Sequence, residues 1–405
     1  MRPALLALSV SACMCIAIPA CSPAAPRTAL SDNTLAEARA KFEADSVAMG
    51  QTFFRSIMRR MELEVERKAA DPTAPDPSID ILSISGGGDY GSFGASFLRA
   101  WGDLPPGHPM PRPDFDIVGG ISTGALIAPF AFEGSDESLA IAARTYTEAR
   151  PDWVQFRGLF SFLPRNASIM DITRLEREIR ARVTPQVISY IAEQSEQHRI
   201  LMCGSTDLDL ARLHVWDLTA QARRSMGDGN FARFQDILLS SATIPIAFPA
   251  REIDGRMYAD GGIIGNVLMG RDPQWVVKLT QLWKDRHPET PMPPIRAWVL
   301  VNNKARLDPQ FVDPNWMPVA GRSVAASIHA STVSAIQQMW LRYRLAEVQH
   351  GVKTEFHWAA IPETFELPHV EEMFDPRVTS ALAELGEKMG ADPVASWQTE
   401  PPKGD

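Results

Sequence analysis

From about residue 79 onward, short apolar runs of strand length alternate with segments of helical periodicity. Gly, Asn or polar residues bound each run, as is typical at the ends of buried strands. Helical patterns cover 171–182 and 323–348, and Asp375-Pro376 begins a last helix that ends near residue 389. This alternation predicts an α/β layered fold with a mainly parallel sheet. The predicted strands are 81–85, 115–118, 199–202 and 297–301.

A long helix is predicted to precede this region. Residues 22–31 are rich in Pro, Ala and Ser and indicate a tether, after which Ser31 supplies N-cap chemistry for a helix to about residue 70. We expect its apolar stripe to dock on the main domain; contact with a partner or membrane is the alternative. Residues 71–77 are Pro-rich and predict a domain boundary. The stripe consists of Phe54, Met58, Met61 and Val65.

The first 21 residues have the order of a secretory signal. Arg2 precedes an apolar run over 4–18, which is shorter than the roughly 20 apolar residues of a spanning helix. Ile18-Pro19-Ala20-Cys21 resembles a bacterial lipobox, in which cleavage before the cysteine leaves a thiol for lipidation. We expect a signal peptide over 1–20 and a lipid on Cys21; an ordinary cleaved signal and an uncleaved anchor are the alternatives. Ser22 favours the outer membrane of a bacterial cell envelope, facing the periplasm or exported.

Net charge argues against a nucleic-acid partner, and the positions of the cysteines argue against disulfides. The chain has 40 basic and 49 acidic residues, a net charge of −9, and therefore lacks the basic footprint of a nucleic-acid-binding protein. Cys13 and Cys15 leave with the predicted signal, and a lipidated Cys21 cannot pair, so no disulfide is expected. Cys203 ends an apolar run and is predicted to be a small buried hydrophobe.

A glycine-rich segment, Ser85-Gly86-Gly87-Gly88-Asp89-Tyr90-Gly91, follows the first predicted strand and begins a helix. Consecutive glycines at a helix N-terminus let backbone N–H groups converge on a phosphate or on the oxyanion of an acyl-transfer intermediate. Gly86, Gly88 and Gly91 also satisfy the dinucleotide-binding pattern GxGxxG, which stays open at this point. No Lys-Ser/Thr follows the last glycine, which excludes a Walker loop.

Gly120-Ile121-Ser122-Thr123-Gly124 lies between the second predicted strand and an apolar helix. This strand–turn–helix context is typical of a nucleophile elbow, in which flanking glycines permit the strained turn that exposes the serine hydroxyl. Ser122 is therefore the predicted nucleophile, with a structural glycine-rich turn as the alternative.

Asp260, followed by Gly261 and Gly262, is the third candidate. A serine nucleophile needs a base, and none of the chain's eight histidines lies in a local motif that recommends it. Asp260 is therefore a candidate base, although a structural turn carboxylate fits the local sequence equally well.

An aromatic segment from Trp153 to Leu163 fits a core-facing segment or a lid beside Ser122.

Four segments in order resemble the patatin-like phospholipase family: the glycine-rich motif, GxSxG, Ser-Ser-Ala-Thr-Ile-Pro-Ile-Ala-Phe-Pro at 240–249, and Asp-Gly-Gly. The resemblance covers about 79–270. It implies a three-layer fold, hydrolysis of lipid acyl esters, no cofactor or metal, and a dyad of Ser122 and Asp260 without histidine. It also implies that Gly86, Gly87 and Gly88 supply the oxyanion N–H groups, with Gly91, Gly120, Gly124, Gly261 and Gly262 completing the motifs.

Two positions depart from the family pattern. Tyr90 stands where a basic residue is usual, and Val267 follows Asn266 where the family often has Pro. Neither change removes a catalytic group, but both leave the substrate open.

Three other functions remain open from the sequence. An α/β-hydrolase esterase would need a histidine after the acid, and a lipid-anchored binding protein would have lost turnover. A dinucleotide-binding oxidoreductase would use the GxGxxG pattern. Membrane lipids or other acyl esters are the expected substrates, membrane contact comes through the anchor, and the oligomeric state stays open. The predicted domains are 1–20 signal, 21–78 tether and helix, 79–365 catalytic domain, and 366–405 C-terminal helix with a loose tail. The possible triad histidines are His329, His350, His357 and His369.

Overall fold

The computed structural model describes residues 27–158, 167–268, 272–368, 370 and 372–402. The predicted signal, Cys21 and most of the tether lie outside these residues, as do positions 159–163 of the aromatic segment. Within the described part of the chain, no helix is long and apolar enough to cross a membrane.

An eight-stranded sheet forms the centre of the fold. Its order is β10-β9-β1-β2-β5-β8-β7, with β6 also paired to β5. The first five strands of this order are parallel, whereas β6 and β8 run antiparallel to β5 and β7 runs antiparallel to β8. A separate hairpin pairs β3 with β4. The strands are β1 Ile79–Ile84, β2 Ile117–Ile121, β3 Gln155–Phe156, β4 Met170–Asp171, β5 Ile200–Asp207, β6 Arg212–Asp217, β7 Arg251–Ile253, β8 Arg256–Asp260, β9 Ile295–Lys304 and β10 Thr354–Ile361.

Helices cover both faces of the sheet, and each face has its own apolar core. Residues of α2, α3, α4, α8 and α11 pack in one core, and residues of α1, α9 and α10 pack in the other. This confirms the predicted three-layer α/β fold with a mainly parallel sheet. The helices are α1 Asp32–Ala70, α2 Gly91–Gly102, α3 Thr123–Glu133, α4 Asp136–Thr147, α5 Thr173–Arg182, α6 Pro185–Gln194, α7 Leu218–Asp228, α8 Phe231–Ser241, α9 Trp275–Arg286, α10 Trp316–His350, α11 Pro376–Gly390 and α12 Pro393–Ser396.

All four predicted strands are present as parallel neighbours in the sheet. They correspond to β1, β2, β5 and β9, and each boundary differs from the prediction by a few residues. Such shifts are expected, because tertiary pairing extends a strand beyond its apolar run. Helix α10 is also longer than predicted, and it begins at Trp316.

The N-terminal helix α1 docks on the main domain as predicted. The Ser31 hydroxyl caps it by accepting the Thr34 N–H at 3.2 Å. Met58 and Met61 of the predicted stripe are buried in the second core. Beside them, Arg60 donates to the Asp116 carboxylate at 2.6 Å, which links α1 to the residue just before β2.

The C-terminal tail is packed, which corrects the prediction of a loose tail. Trp397 is buried, and the backbone of Gln398 exchanges two hydrogen bonds with Trp358 of β10. The Trp397 ring lies 5.1 Å from that of Trp101 and 5.2 Å from that of Trp298, measured between ring centroids. The burial of one aromatic side chain therefore holds a segment whose proline content suggested disorder.

Candidate active site

Ser122 occupies the turn between β2 and α3, with φ 53° and ψ −125°. A non-glycine residue at positive φ is uncommon and indicates local strain, as a nucleophile elbow requires. The turn is closed so tightly that a Cβ atom at Gly124 would lie 2.2 Å from the carbonyl oxygen of Ile84. The glycines of GxSxG are therefore sterically required where β2 passes into α3.

Ser241 supports this turn through two hydrogen bonds. Its hydroxyl accepts the Ser122 N–H at 2.9 Å and donates to the Gly204 carbonyl at 2.6 Å. The backbone N–H of the strained residue is thereby satisfied, and the elbow is fixed to β5. Ser241 belongs to the Ser-Ser-Ala segment, which the sequence identified as a motif without assigning it a role.

The sheet register brings Asp260 to the level of Ser122. On β5, Gly204 pairs with Ile121 of β2, and the next residue, Ser205, pairs with Asp260 at the end of antiparallel β8. The carboxyl end of β8 therefore meets the elbow that follows β2. The Asp260 side chain interacts with the Ser122 hydroxyl and accepts the Gly262 N–H at 2.8 Å.

The Asp260 carboxyl group is almost completely removed from solvent, with 2% of the residue exposed. Burial disfavours the charged form and raises its pKa from 3.8 to about 6, although the Ser122 hydroxyl and the Gly262 N–H act in the opposite direction. The raised pKa makes Asp260 a stronger base than an exposed carboxylate, and it is still ionised at neutral pH.

The glycine-rich loop passes directly over Ser122. A Cβ atom at Gly86 would lie 2.8 Å from the Ser122 Cβ atom, so the loop approaches the serine as closely as backbone can. Within the described residues, no protein acceptor takes the N–H groups of Gly87 and Gly88. These two donors therefore have no partner among the described residues, and Gly88 lines the same cavity as Ser122.

One of the three predicted oxyanion donors, Gly86, already has a hydrogen-bond acceptor within the protein. Its N–H donates to the Oδ1 atom of Asn266 at 3.0 Å in a buried bond, so it is not available to a ligand. The predicted set of three donors is thereby reduced to Gly87 and Gly88. The other motif glycines lie at close contacts around the site: Gly91 against Thr123, Gly120 against Gly124, Gly261 against Gly204, and Gly262 against Asp260 and Asn266.

Two asparagines brace the loop, and sequence analysis assigned a role to neither. Asn266, only 2% exposed, holds Gly86 through Oδ1 and donates from Nδ2 to Thr332 at 2.9 Å. Asn302, at the end of β9, donates its backbone N–H to the Ser85 hydroxyl and its Nδ2 to the Ser85 carbonyl, each at 2.9 Å. For Asn266 the sequence does contain a signal, since it follows the Asp-Gly-Gly motif by four residues, where the family pattern often has Asn-Pro.

A narrow apolar cavity of about 30 Å³ opens beside Ser122. Trp153 of the aromatic segment contributes to its wall, whereas Phe156 is exposed. Met373 and Phe374 close another side, and Phe374 donates its N–H to the Asp89 carboxylate at 3.1 Å. The remaining walls consist mainly of Leu126, Tyr146, Leu175, Ile179, Ile244 and Phe248.

The histidines that could complete a triad are distributed elsewhere. His357 lies on β10 with its ring stacked on Trp298, at a centroid distance of 4.2 Å. His350 is exposed at the end of α10, His329 is half-buried on the same helix, and His369 lies outside the described residues. Among the described side chains, those that interact with the Asp260 carboxyl group include no histidine.

Comparison with known proteins gives one family match. The family model described as Patatin-like phospholipase matches residues 82–270, a range that contains both Ser122 and Asp260. No curated protein matches the chain. Among solved structures, VipD from Legionella pneumophila aligns with a TM-score of 0.32 and 12% sequence identity, over 81% of this chain and 68% of that chain.

We predict that Asn266→Ala lowers the free energy of unfolding by about 1–3 kcal/mol, because the buried Gly86 N–H would lose its acceptor. Urea denaturation followed by circular dichroism measures the change. Asn33→Ala, at an exposed position on α1, is the matched control and should stay within about 0.5 kcal/mol of the unchanged protein. Equal stability of the two variants would contradict the bracing role of Asn266.

Proposed function

Because residues 82–270 place the chain in the patatin-like phospholipase family, we propose that it hydrolyses acyl esters of lipids through Ser122 and Asp260. The observation that carries the proposal is the contact between a strained, glycine-flanked serine and a buried carboxylate. The family supports hydrolysis of lipid esters in general. The dyad, the oxyanion donors and the acyl-enzyme described below are the finer part of the proposal.

In the first step, the Ser122 hydroxyl attacks the ester carbonyl while Asp260 accepts its proton. The Ser122 hydroxyl acts directly on the Asp260 carboxyl group, which supports a proton transfer that needs no histidine as a relay. The pKa of about 6 leaves Asp260 ionised at neutral pH, yet closer in basicity to the serine than an ordinary aspartate.

The negative charge that develops on the carbonyl oxygen would be bound by the N–H groups of Gly87 and Gly88. Their freedom from other acceptors supports this assignment, as does the approach of the loop to Ser122. Loss of one such donor typically costs about 10²–10³ in rate. The alcohol leaves with the proton held by Asp260, and water, deprotonated by the same carboxylate, then releases the fatty acid.

Binding of substrate requires the site to open. Ligand pockets for small molecules typically measure about 300–1,000 Å³, whereas the cavity beside Ser122 measures about 30 Å³. Met373 is an unbranched side chain in the cavity wall, and its Cε atom would lie 3.5 Å from a Cβ at Gly88. We propose that rotation of Met373 admits an acyl chain next to the oxyanion donors, because an unbranched thioether side chain adapts readily.

We further propose that the domain is tethered to a bacterial outer membrane by a lipid on Cys21. The lipobox-like sequence and Ser22 support this location. The first described residue, Arg27, donates two hydrogen bonds to the Asp209 carboxylate, at 2.7 and 2.6 Å. Six residues of chain span at most about 20 Å, so the anchor would keep the folded domain close to its substrate.

Metabolic labelling with a radioactive fatty acid tests the anchor. The unchanged chain should incorporate label and partition into the detergent phase, whereas Cys21→Ala should do neither. Labelling that persists in Cys21→Ala would rule out attachment at this position, and Cys203→Ala, which changes a buried thiol, serves as the control.

Removal of either dyad group should abolish hydrolysis of p-nitrophenyl butyrate. We expect Ser122→Ala and Asp260→Asn each to lower kcat/KM by at least about 10³, because nucleophile and base act as one unit. Ser323→Ala and Asp285→Asn, both at exposed positions, are controls that should keep full activity. Full activity in a folded Ser122→Ala or Asp260→Asn variant would sink the dyad; loss on replacing one of the four histidines would favour a triad.

Activity should also depend on pH. Asp260 must be ionised to act as a base, so kcat/KM should rise with pH and level off above the carboxyl group's pKa of about 6. Burial also raises the pKa of Asp116, which lies beside Arg60, to about 6, so that this carboxyl group titrates in the same pH range. Asp116→Asn should therefore keep the acid limb, and circular dichroism at each pH should show that folding does not cause it. An acid limb near pH 4 would contradict the role of Asp260.

A further inference from the structure

A second cavity, of about 480 Å³, lies on the sheet face opposite the Ser122 site. Successive residues of a strand point to opposite faces. Ile81 and Ile117 line this cavity, whereas their neighbours Leu82 and Val118 belong to the core on the other face. Helices α1, α9 and α10 form the remaining walls. Their largest apolar contributions come from Phe53, Phe54, Trp275, Met339 and Tyr343.

Three charged residues also line this cavity, and they lie together. Lys278 donates to the Asp272 carboxylate at 2.5 Å, and the positive charge of Arg342 acts on the same carboxylate. The Lys278 side chain is 55% exposed, so this group lies on the solvent side of the cavity. An ammonium group has three N–H donors, and Lys278 can therefore keep Asp272 while it binds a second carboxylate.

We propose that this cavity binds one fatty acid, with its alkyl chain among the apolar side chains and its carboxylate at Lys278. The volume falls within the range of ligand pockets, about 300–1,000 Å³. An apolar cavity is a poor site for water, and a neutral apolar ligand would not bind the N–H donors of Lys278 that Asp272 leaves. A single alkyl chain that ends in one negative charge matches both parts of the lining.

Gly50 of α1 allows the cavity to be filled without disturbing its walls. Gly50 lines the cavity, and a Cβ atom there would have no other atom within 4 Å. Phenylalanine at this position would therefore occupy the space of an alkyl chain, and it favours a helix more than glycine does. Gly227 of α7 provides a matched control, since it is also helical, and a Cβ atom there is equally free of contacts.

The experiment measures binding of the fluorescent fatty acid cis-parinaric acid to the full chain carrying Ser122→Ala, with palmitic acid and methyl palmitate as competitors. We expect saturable binding of one molecule per chain. Gly50→Phe should weaken it at least tenfold, whereas Gly227→Phe should leave it unchanged. Lys278→Met should weaken binding of palmitic acid about tenfold, the loss typical of one charge-assisted hydrogen bond, without changing competition by methyl palmitate.

Absence of saturable binding would overturn the proposal, as would equal binding by the Gly50→Phe and Gly227→Phe variants. If methyl palmitate competes as well as palmitic acid and Lys278→Met has no effect, the assignment of a fatty acid is wrong. Thermal unfolding of each variant verifies that lost binding does not come from lost structure. Because Ser122 is absent from every sample, the result is independent of whether the chain hydrolyses esters.

Discussion

The placement of Asp260 at the level of Ser122 is the constraint on which the candidate site depends, and the sheet register creates it. Antiparallel pairing of β8 with β5 places Asp260 beside Ser205, one residue beyond the level at which β2 ends. A shift of β8 by one residue would turn the side chain of Asp260 to the other face of the sheet. The same burial that raises the carboxyl pKa also keeps water from the serine, so basicity and desolvation come from one placement.

The glycine-rich loop is a rigid part of the fold. Asn266 fastens it on the side of Asp260, and Asn302 fastens it on the side of β9. In each of these bonds a side-chain amide pairs with a backbone N–H or carbonyl group of the loop, which has few side chains of its own. The bracing occupies the N–H group of Gly86 and fixes the position of Gly87 and Gly88, the donors of the proposed mechanism. Donors fixed before substrate binds stabilise a developing charge without paying for reorganisation.

The sequence predicted the features that depend on local patterns. The Ser122 elbow is one example, since a strand, two glycines and an apolar helix are adjacent in the chain. The level at which Asp260 meets Ser122, and the bond between Gly86 and Asn266, join segments 138 and 180 residues apart, and no local pattern contains them. The tail was misjudged because proline content indicates a lack of regular structure, whereas the packing of Trp397 decides whether the segment is ordered. The cavity on the sheet face opposite Ser122 could not be predicted either, because its wall depends on where α1 lies. Apolar periodicity predicts that α1 docks, but not where it docks.

The strained backbone angles of Ser122 lower the stability of the fold at the residue that is also the proposed nucleophile. Its φ of 53° and ψ of −125° belong to a conformation that glycine adopts at little cost and that other residues adopt at about 1–3 kcal/mol. Glycine at position 122 would therefore relieve this strain and, under the proposed mechanism, remove the nucleophile. The same backbone angles that lower the stability of the fold are the ones that would present a reactive hydroxyl group.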